Sequence, residues 1–357
     1  MVVALFSLAL AGASLLGGVY GYRIPARISR QAADTYTNPI IPGNWADPWV
    51  FQWNDMYYLV PTSGSADVIV IPSKTLDSFD ASAGTVVWST NWTGNFWAPE
   101  LHQIDGEFYI YGASQDGDLD SDRRTHVLKG TDPNDPTAPF EDLGVISTPD
   151  LNYMIDSTVL QNYNGKNYMI WSGKESTEAD TVQYLYITEM SSPTTLVGER
   201  TMIHSPYWPD GSRKDWQWSP SSTDYGVNEG PEILQHGDKT FVVYSACGSW
   251  DACYSLAIMG LNGTDLDPLD PNAWWAKDDG PVFTQDDVTV GTGHASFPVD
   301  ADGVPYVTFH GWNATASAGW GSRTVYTQAF TFNDDDTPNF GQPVGAGVAL
   351  PAAAGYA

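Results

Sequence analysis

Residues 228–244 read NEGPEILQHGDKTFVVY. Two short apolar runs flank Gly237-Asp238, a dipeptide suited to the φ > 0 conformations of a tight β-hairpin turn. A carboxylate, Glu229, stands where the first run begins. Four other stretches share the outline: DPWVFQW-ND-MYYLV from Asp47, APELHQI-DG-EFYIY from Ala98, DSTVLQNY-NG-KNYMIW from Asp156 and HASFPVDA-DG-VPYVTF from His294. Helical periodicity is scarce after the N-terminal apolar run, so the pattern predicts an all-β protein.

The five turns begin at Asn54, Asp105, Asn164, Gly237 and Asp302, a loose period of 51 to 73 residues. Repeats of this size suit the blades of a propeller. Two-sheet sandwiches also string hairpins together, but theirs need not resemble one another, and five matched copies favour a single-domain, five-bladed β-propeller. The runs Arg323–Phe332 and Tyr36–Ile41 are placed to close the ring by sharing a blade. By composition, residues 1–21 read as a signal peptide, 22–35 as a linker, 36–345 as the propeller and 346–357 as a C-terminal tail.

A propeller aims the first strand of every blade at one central channel, so equivalent strand starts converge there. Glu229, Asp156 and His294 each precede their turn by 8 residues, Asp47 by 7. That offset calls for a bulge or a longer turn in the first repeat, since a slip of one residue flips a side chain. A single acid at a strand start is most simply a cap or an ion ligand. Three at matched positions raise each other's pKa and suit glycoside hydrolysis, which needs one protonated and one ionised carboxyl. Of the 15 Trp, most are expected in inter-blade cores. Trp97, beside a strand start, is the one assigned to a sugar face.

The chain has 357 residues, 15 Lys+Arg and 43 Asp+Glu, a formal charge of −28. That field repels nucleic acid and anionic membrane surfaces, and neither is an expected partner. Val2–Val19 is apolar and followed by small residues, as in a secretory signal. A signal anchor is the alternative, but Gly, Ala and Ser dilute the run and favour secretion. Sequons at Asn91, Asn262 and Asn313 agree with export. Cys247 and Cys253 are either a disulfide closing a small loop or two buried thiols; no zinc-type spacing is present.

These residues resemble glycoside hydrolase family 43 over roughly Asn38 to Asn333. NWADP carries Asp47, WAPE carries Trp97 and Glu100, MIDST carries Asp156, NEGPE carries Glu229 and GTGH carries His294. The resemblance implies an inverting mechanism: Asp47 the general base, Glu229 the general acid, and Asp156 orienting Glu229 and keeping its pKa high by like charge. It places Arg323 near the sugar and turns His294 to the channel, where a hydrated calcium ion is one occupant and a metal-free, hydrogen-bonded histidine the alternative. No organic cofactor is expected. The implied substrate is a plant cell-wall polysaccharide or oligosaccharide acted on by a secreted monomer. Exo-acting α-L-arabinofuranosidase on arabinan or arabinoxylan is the first reading. It is favoured by the short tail and by a Trp-rich link before Glu229 that would wall off one end of a cleft. β-D-Xylosidase and endo-arabinanase are the enzymatic alternatives, and a non-catalytic glycan-binding propeller is the alternative of another class. Retaining invertase-type propellers carry Arg-Asp-Pro and Glu-Cys motifs, and neither stands at the corresponding places here.

Overall fold

The computed structural model describes residues 34–357, apart from 91–93, 116–119, 151, 177–180, 223 and 318. The signal-peptide segment and the Asn91 sequon therefore lie outside the described residues. Blade 1 comprises Ala46–Trp53, Met56–Thr62, Asp67–Ser73 and Thr85–Ser89, joined antiparallel in chain order. Blade 2 runs Trp97–Ile104, Glu107–Gln115, Arg123–Gly130 and Phe140–Val145; blade 3 runs Met154–Tyr163, Lys166–Gly173, Tyr184–Ser192 and Thr195–His204. Blade 4 is Asn228–His236, Lys239–Ala246, Ser255–Leu261 and Trp274–Ala276, and blade 5 has three strands, Thr289–Ser296, Tyr306–Asn313 and Thr324–Ala329. The five-bladed propeller expected from the hairpins is what the chain forms.

The second strand of each blade is apolar on both faces because each face meets a different neighbour. In blade 1, Tyr57 and Leu59 pack toward blade 5 with Tyr306 and Val325. The alternate residues Tyr58 and Val60 pack toward blade 2 with Leu101, Phe108 and Ile110. In blade 2, Tyr109 and Tyr111 then face Met169 and Trp171 of blade 3. Two-residue periodicity thus distributes one strand between two cores, and a one-residue slip would exchange them.

The ring closes where expected, by a different device. Tyr36–Ile41 lies along the third strand of blade 5: Ile40 N donates to Val325 O at 3.0 Å, and Thr327 N donates to Asn38 Oδ1 at 2.9 Å. The strand Thr35–Thr37 itself pairs with Ala349–Pro351, part of the segment set apart by composition as a tail. That segment is tied down further, with Tyr356 stacked on Tyr57 at 5.2 Å.

The strand starts carry the feature that builds the site. Asp47, Ala98, Asp156, Gly230 and His294 all have positive φ, between +43° and +54°. In every blade the antiparallel register breaks at that residue: Ala46/Trp49, Trp97/Glu100, Ile155/Thr158, Glu229/Glu232 and Gly293/Ser296. Five equivalent β-bulges therefore re-aim five side-chain positions at the axis. This corrects the register read from the sequence. Asp47 needs no special bulge; instead the third repeat holds the extra residue, absorbed by a second irregularity between Leu160 and Tyr163 with Asn162 at φ 52°. In blade 4 the bulge residue is Gly230, so Glu229 sits one position before it. The fifth hairpin also differs: Asp300 Oδ1 accepts from Asp302 N and Val304 N at 2.9 Å each, making a wider loop than a two-residue turn.

Candidate active site

The strand starts converge on the axis, with Gly230 in the place expected for Glu229. A cavity of about 10 Å³ on the axis is lined by Asp47, Ala98, Gly230 and His294, with Glu100 and Trp49 two positions further along their strands. Asp156 joins the same cluster, its Oδ2 accepting from Gly230 N at 3.0 Å. Gly230 also keeps the space tight, since a Cβ there would lie 3.0 Å from the His294 ring.

Asp47 is surrounded by donors. Its Oδ1 lies 3.3 Å from Arg323 Nη1, 3.3 Å from His294 Nδ1 and 3.2 Å from His310 Nδ1. Burial alone would raise this carboxyl, but His294, Arg323 and His310 outweigh it and hold it well below the usual range. Burial pushes both imidazoles down, His310 to about 4, so near neutral pH Arg323 is the full cation of the three. His310 Nδ1 accepts from Asp47 N at 3.1 Å, so its approach to Oδ1 is a close contact and not a donated bond. The proton of the neutral ring is therefore assigned to Nε2, which is buried without a partner.

Glu229 and Asp156 behave oppositely. Burial raises Glu229 to about 7, with Asp47 adding and Tyr254, Arg323 and Ser249 opposing. Asp156 is pushed well up, by burial first, then by Glu229 and Asp47. The expectation that an anionic Asp156 keeps Glu229 protonated needs amending: burial is the larger cause, and Asp156 is itself disposed to hold a proton. Two carboxyls that hold protons therefore stand beside one held ionised, the pairing that carboxyl-based acid–base chemistry requires.

Arg323 precedes the third strand of blade 5, and its Nε is a buried donor with no partner. Trp97 is half-buried, with the Arg123 guanidinium 3.1 Å from its ring centroid, so Arg123 takes one of its faces. Its neighbour Trp320, 6.1 Å away, is 52% exposed and also meets Trp250 at 6.1 Å. Trp320, Trp250, His310, Ser249 and Tyr254 went unnoticed in the sequence. Ser249, Trp250 and Tyr254 fall in the segment CGSWDACY, whose two cysteines prove to be a disulfide between the second and third strands of blade 4.

Below the acids, Glu100 and Glu232 are a second buried carboxyl pair, both raised by burial. Thr158 Oγ1 donates to Glu232 Oε2 at 3.4 Å, and His102 Nε2 contacts Glu100 Oε2 at 2.9 Å. The resemblance implies a hydrated calcium ion beside His294 in the channel. The cavity there admits about one water, whereas calcium takes six to eight oxygen ligands. Among the described residues, the one group of three metal-ligating side chains with converging ligand atoms is Cys247, Asp251 and Cys253, and its sulfurs are bonded to each other.

Residues 36–338 match the family model Glycosyl hydrolases family 43. The chain belongs to that family. It is a glycosidase that hydrolyses glycosyl bonds. It is 32% identical over 361 residues to the extracellular exo-α-(1→5)-L-arabinofuranosidase of Streptomyces avermitilis, covering 98% of this chain and 71% of that protein. It is 30% identical to α-L-arabinofuranosidase 43 of Humicola insolens, over 87% and 64% of the two chains. The crystal structure of an α-L-arabinofuranosidase from Lactobacillus brevis superposes with a TM-score of 0.77 at 29% identity, covering 88% of this chain and 98% of that one.

Proposed function

We propose that this family 43 glycosidase is a secreted, inverting, exo-acting α-L-arabinofuranosidase that releases arabinofuranose from arabinan or arabinoxylan. The observation that carries the mechanism is the sorting of the three buried acids. Asp47, faced by Arg323, is the general base: ionised, it takes a proton from water as the water attacks the anomeric carbon. Glu229, raised to about 7, is the general acid: it gives its proton to the glycosidic oxygen as that bond breaks. Asp156 holds the Gly230 N–H, fixing the backbone beside Glu229. Arg323 Nε and the Trp97–Trp320 pair are the groups assigned to the sugar. The names of the relatives support arabinofuranose over xylose and support secretion, and no described helix is long and apolar enough to cross a membrane.

Proton NMR of the first product anomer tests inversion, and retention of configuration would refute the base role of Asp47. Parallel rates on 4-nitrophenyl α-L-arabinofuranoside and 4-nitrophenyl β-D-xyloside test the sugar. Faster xyloside hydrolysis would overturn the assignment, and inactivity on both and on arabino-oligosaccharides would point to the glycan-binding alternative.

A further inference from the structure

The Cys247–Cys253 disulfide closes a loop whose ends reach the proposed acid. The loop is pinned on several sides. Asp251 Oδ2 accepts from Ser219 and, at 2.8 Å, from Ser221. Trp250 Nε1 donates to Ser221 Oγ at 3.0 Å, and Gly291 N of blade 5 donates to Ala252 O at 3.0 Å. Ser249 is buried inside the loop and accepts from Trp320 Nε1 at 3.2 Å. Tyr254 follows it directly and is fully buried, its ring stacked on His310 at 5.3 Å and 5°. That stack fills the space over Gly293, where a Cβ would fall 2.3 Å from the Tyr254 ring.

The Tyr254 hydroxyl is thus fixed in place yet makes no hydrogen bond of full geometry. A buried, unpartnered phenol costs free energy unless some state of the protein uses it. Glu229 and Ser245 are its polar neighbours; Ser245 Oγ accepts from His294 N at 2.7 Å, and of the two only Glu229 becomes charged when it gives up its proton. We propose that Tyr254 is a positioning residue for Glu229: its phenol O–H, presented together with the Ser249 hydroxyl by the disulfide-closed loop, donates to the Glu229 carboxylate formed when the leaving oxygen takes the proton. Tyr254 keeps its own proton throughout. Burial, then the nearby Glu229, Asp156 and Asp47, push it well above the ordinary phenol range, so it remains a donor. Its ring and hydroxyl therefore join the two halves of the site, His310 on the Asp47 side and Glu229 on the other. The inference rests on the reading of Glu229 as general acid.

The charged and titratable groups that interact with Glu229 are Asp47 from blade 1, Asp156 from blade 3 and Arg323 from blade 5, while His294 and His310 face Asp47. Tyr254→Phe removes one hydrogen bond to the ionised carboxyl and leaves these groups and the stack in place. Losing a donor to the charged form raises the acid's pKa. The alkaline limb of kcat/KM against pH, measured on α-1,5-arabinobiose, is expected to move up by roughly one unit, with kcat falling about 10- to 100-fold and KM unchanged. On 4-nitrophenyl α-L-arabinofuranoside, whose leaving group needs no proton, kcat should stay within about threefold. Ser249→Ala should shift the limb the same way by less, and it carries the test if Tyr254→Phe does not fold. An alkaline limb that stays or moves down, or equal losses on both substrates, overturns the proposal. Glu229→Gln run alongside separates the two readings. Leaving-group dependence in Glu229→Gln but not in Tyr254→Phe removes only the role of Tyr254; its absence from both removes the acid itself.

Discussion

Arg323→Met should move the whole pH–rate bell upward, its acid limb most. Arg323 Nη1 lies 3.3 Å from Asp47 Oδ1, and the two side chains are only 12% and 10% exposed. At that separation Coulomb's law gives about 1 kcal/mol in bulk water and about 5 kcal/mol at an effective dielectric of ~20, the value suited to protein sites. One pKa unit corresponds to 1.36 kcal/mol, and a carboxylate beside an arginine is typically lowered by about 1–3 units. The low Asp47 pKa sets the acid limb, because activity is lost as the base protonates. Neutralising Arg323 should therefore raise that limb by about 1–3 units on α-1,5-arabinobiose. Arg323 also holds Glu229 down, so the alkaline limb, near 7 in the parent, should rise too, by less because burial, the Tyr254 hydroxyl and Asp47 all weigh more there. The bell then narrows as it climbs. Arg323→Lys, which keeps the charge, should restore most of the acid limb while leaving KM raised, since only the guanidinium offers the unpaired Nε. An acid limb unmoved by Arg323→Met would refute Arg323 as the group that keeps Asp47 ionised.

Glu229→Ala should cost about 10²–10⁴-fold on arabinobiose and far less on the nitrophenyl arabinoside, whereas Asp47→Ala should depress both alike; the reverse pattern would exchange the roles. Gly291→Ala places a Cβ 2.0 Å from Trp312 Cζ3 at φ +64°. It should destabilise by about 3 kcal/mol or more through overpacking and left-handed strain, read by urea denaturation, and a loss under about 1 kcal/mol would contradict this close approach of Gly291 to Trp312. Dialysis against EDTA should change neither melting temperature nor activity, given a channel that admits about one water; a fall in either, reversed by calcium, would show a site this geometry does not provide.

How much the sequence disclosed follows from what kind of residue each position requires. Asp47, Asp156 and His294 were legible because a bulge at φ near +50° admits few residue types, and Asp, Asn, His and Gly tolerate it best. Polar side chains thus interrupt apolar strands at regular intervals. The register was less legible. A bulge is a backbone event, and Asn162, which absorbs the extra residue of blade 3, looks like any hairpin residue. The fifth turn misled for a related reason: Asp300 uses its side chain to widen a loop whose Asp-Gly pair suggests a tight one. His310 sits in YVTFHGW, where its neighbours Val307 and Phe309 announce only a core strand. Trp320 and Trp250 lie on loops, where no periodicity marks direction.

The bulges have a consequence for how firmly each acid is aimed. Asp47 and Asp156 are mounted directly on a backbone irregularity, with only two side-chain torsions between the mount and the carboxyl. Little rotamer entropy remains to be lost when substrate arrives, and the base is already pointed before binding. Glu229 stands one residue off the bulge on a longer stem, so its orientation depends on what surrounds it, not on the strand that carries it. A base need only face one water, whereas a proton donor has to follow an oxygen that moves away as its bond breaks. The same backbone device thus leaves the stationary job on a rigid arm and the moving job on a jointed one.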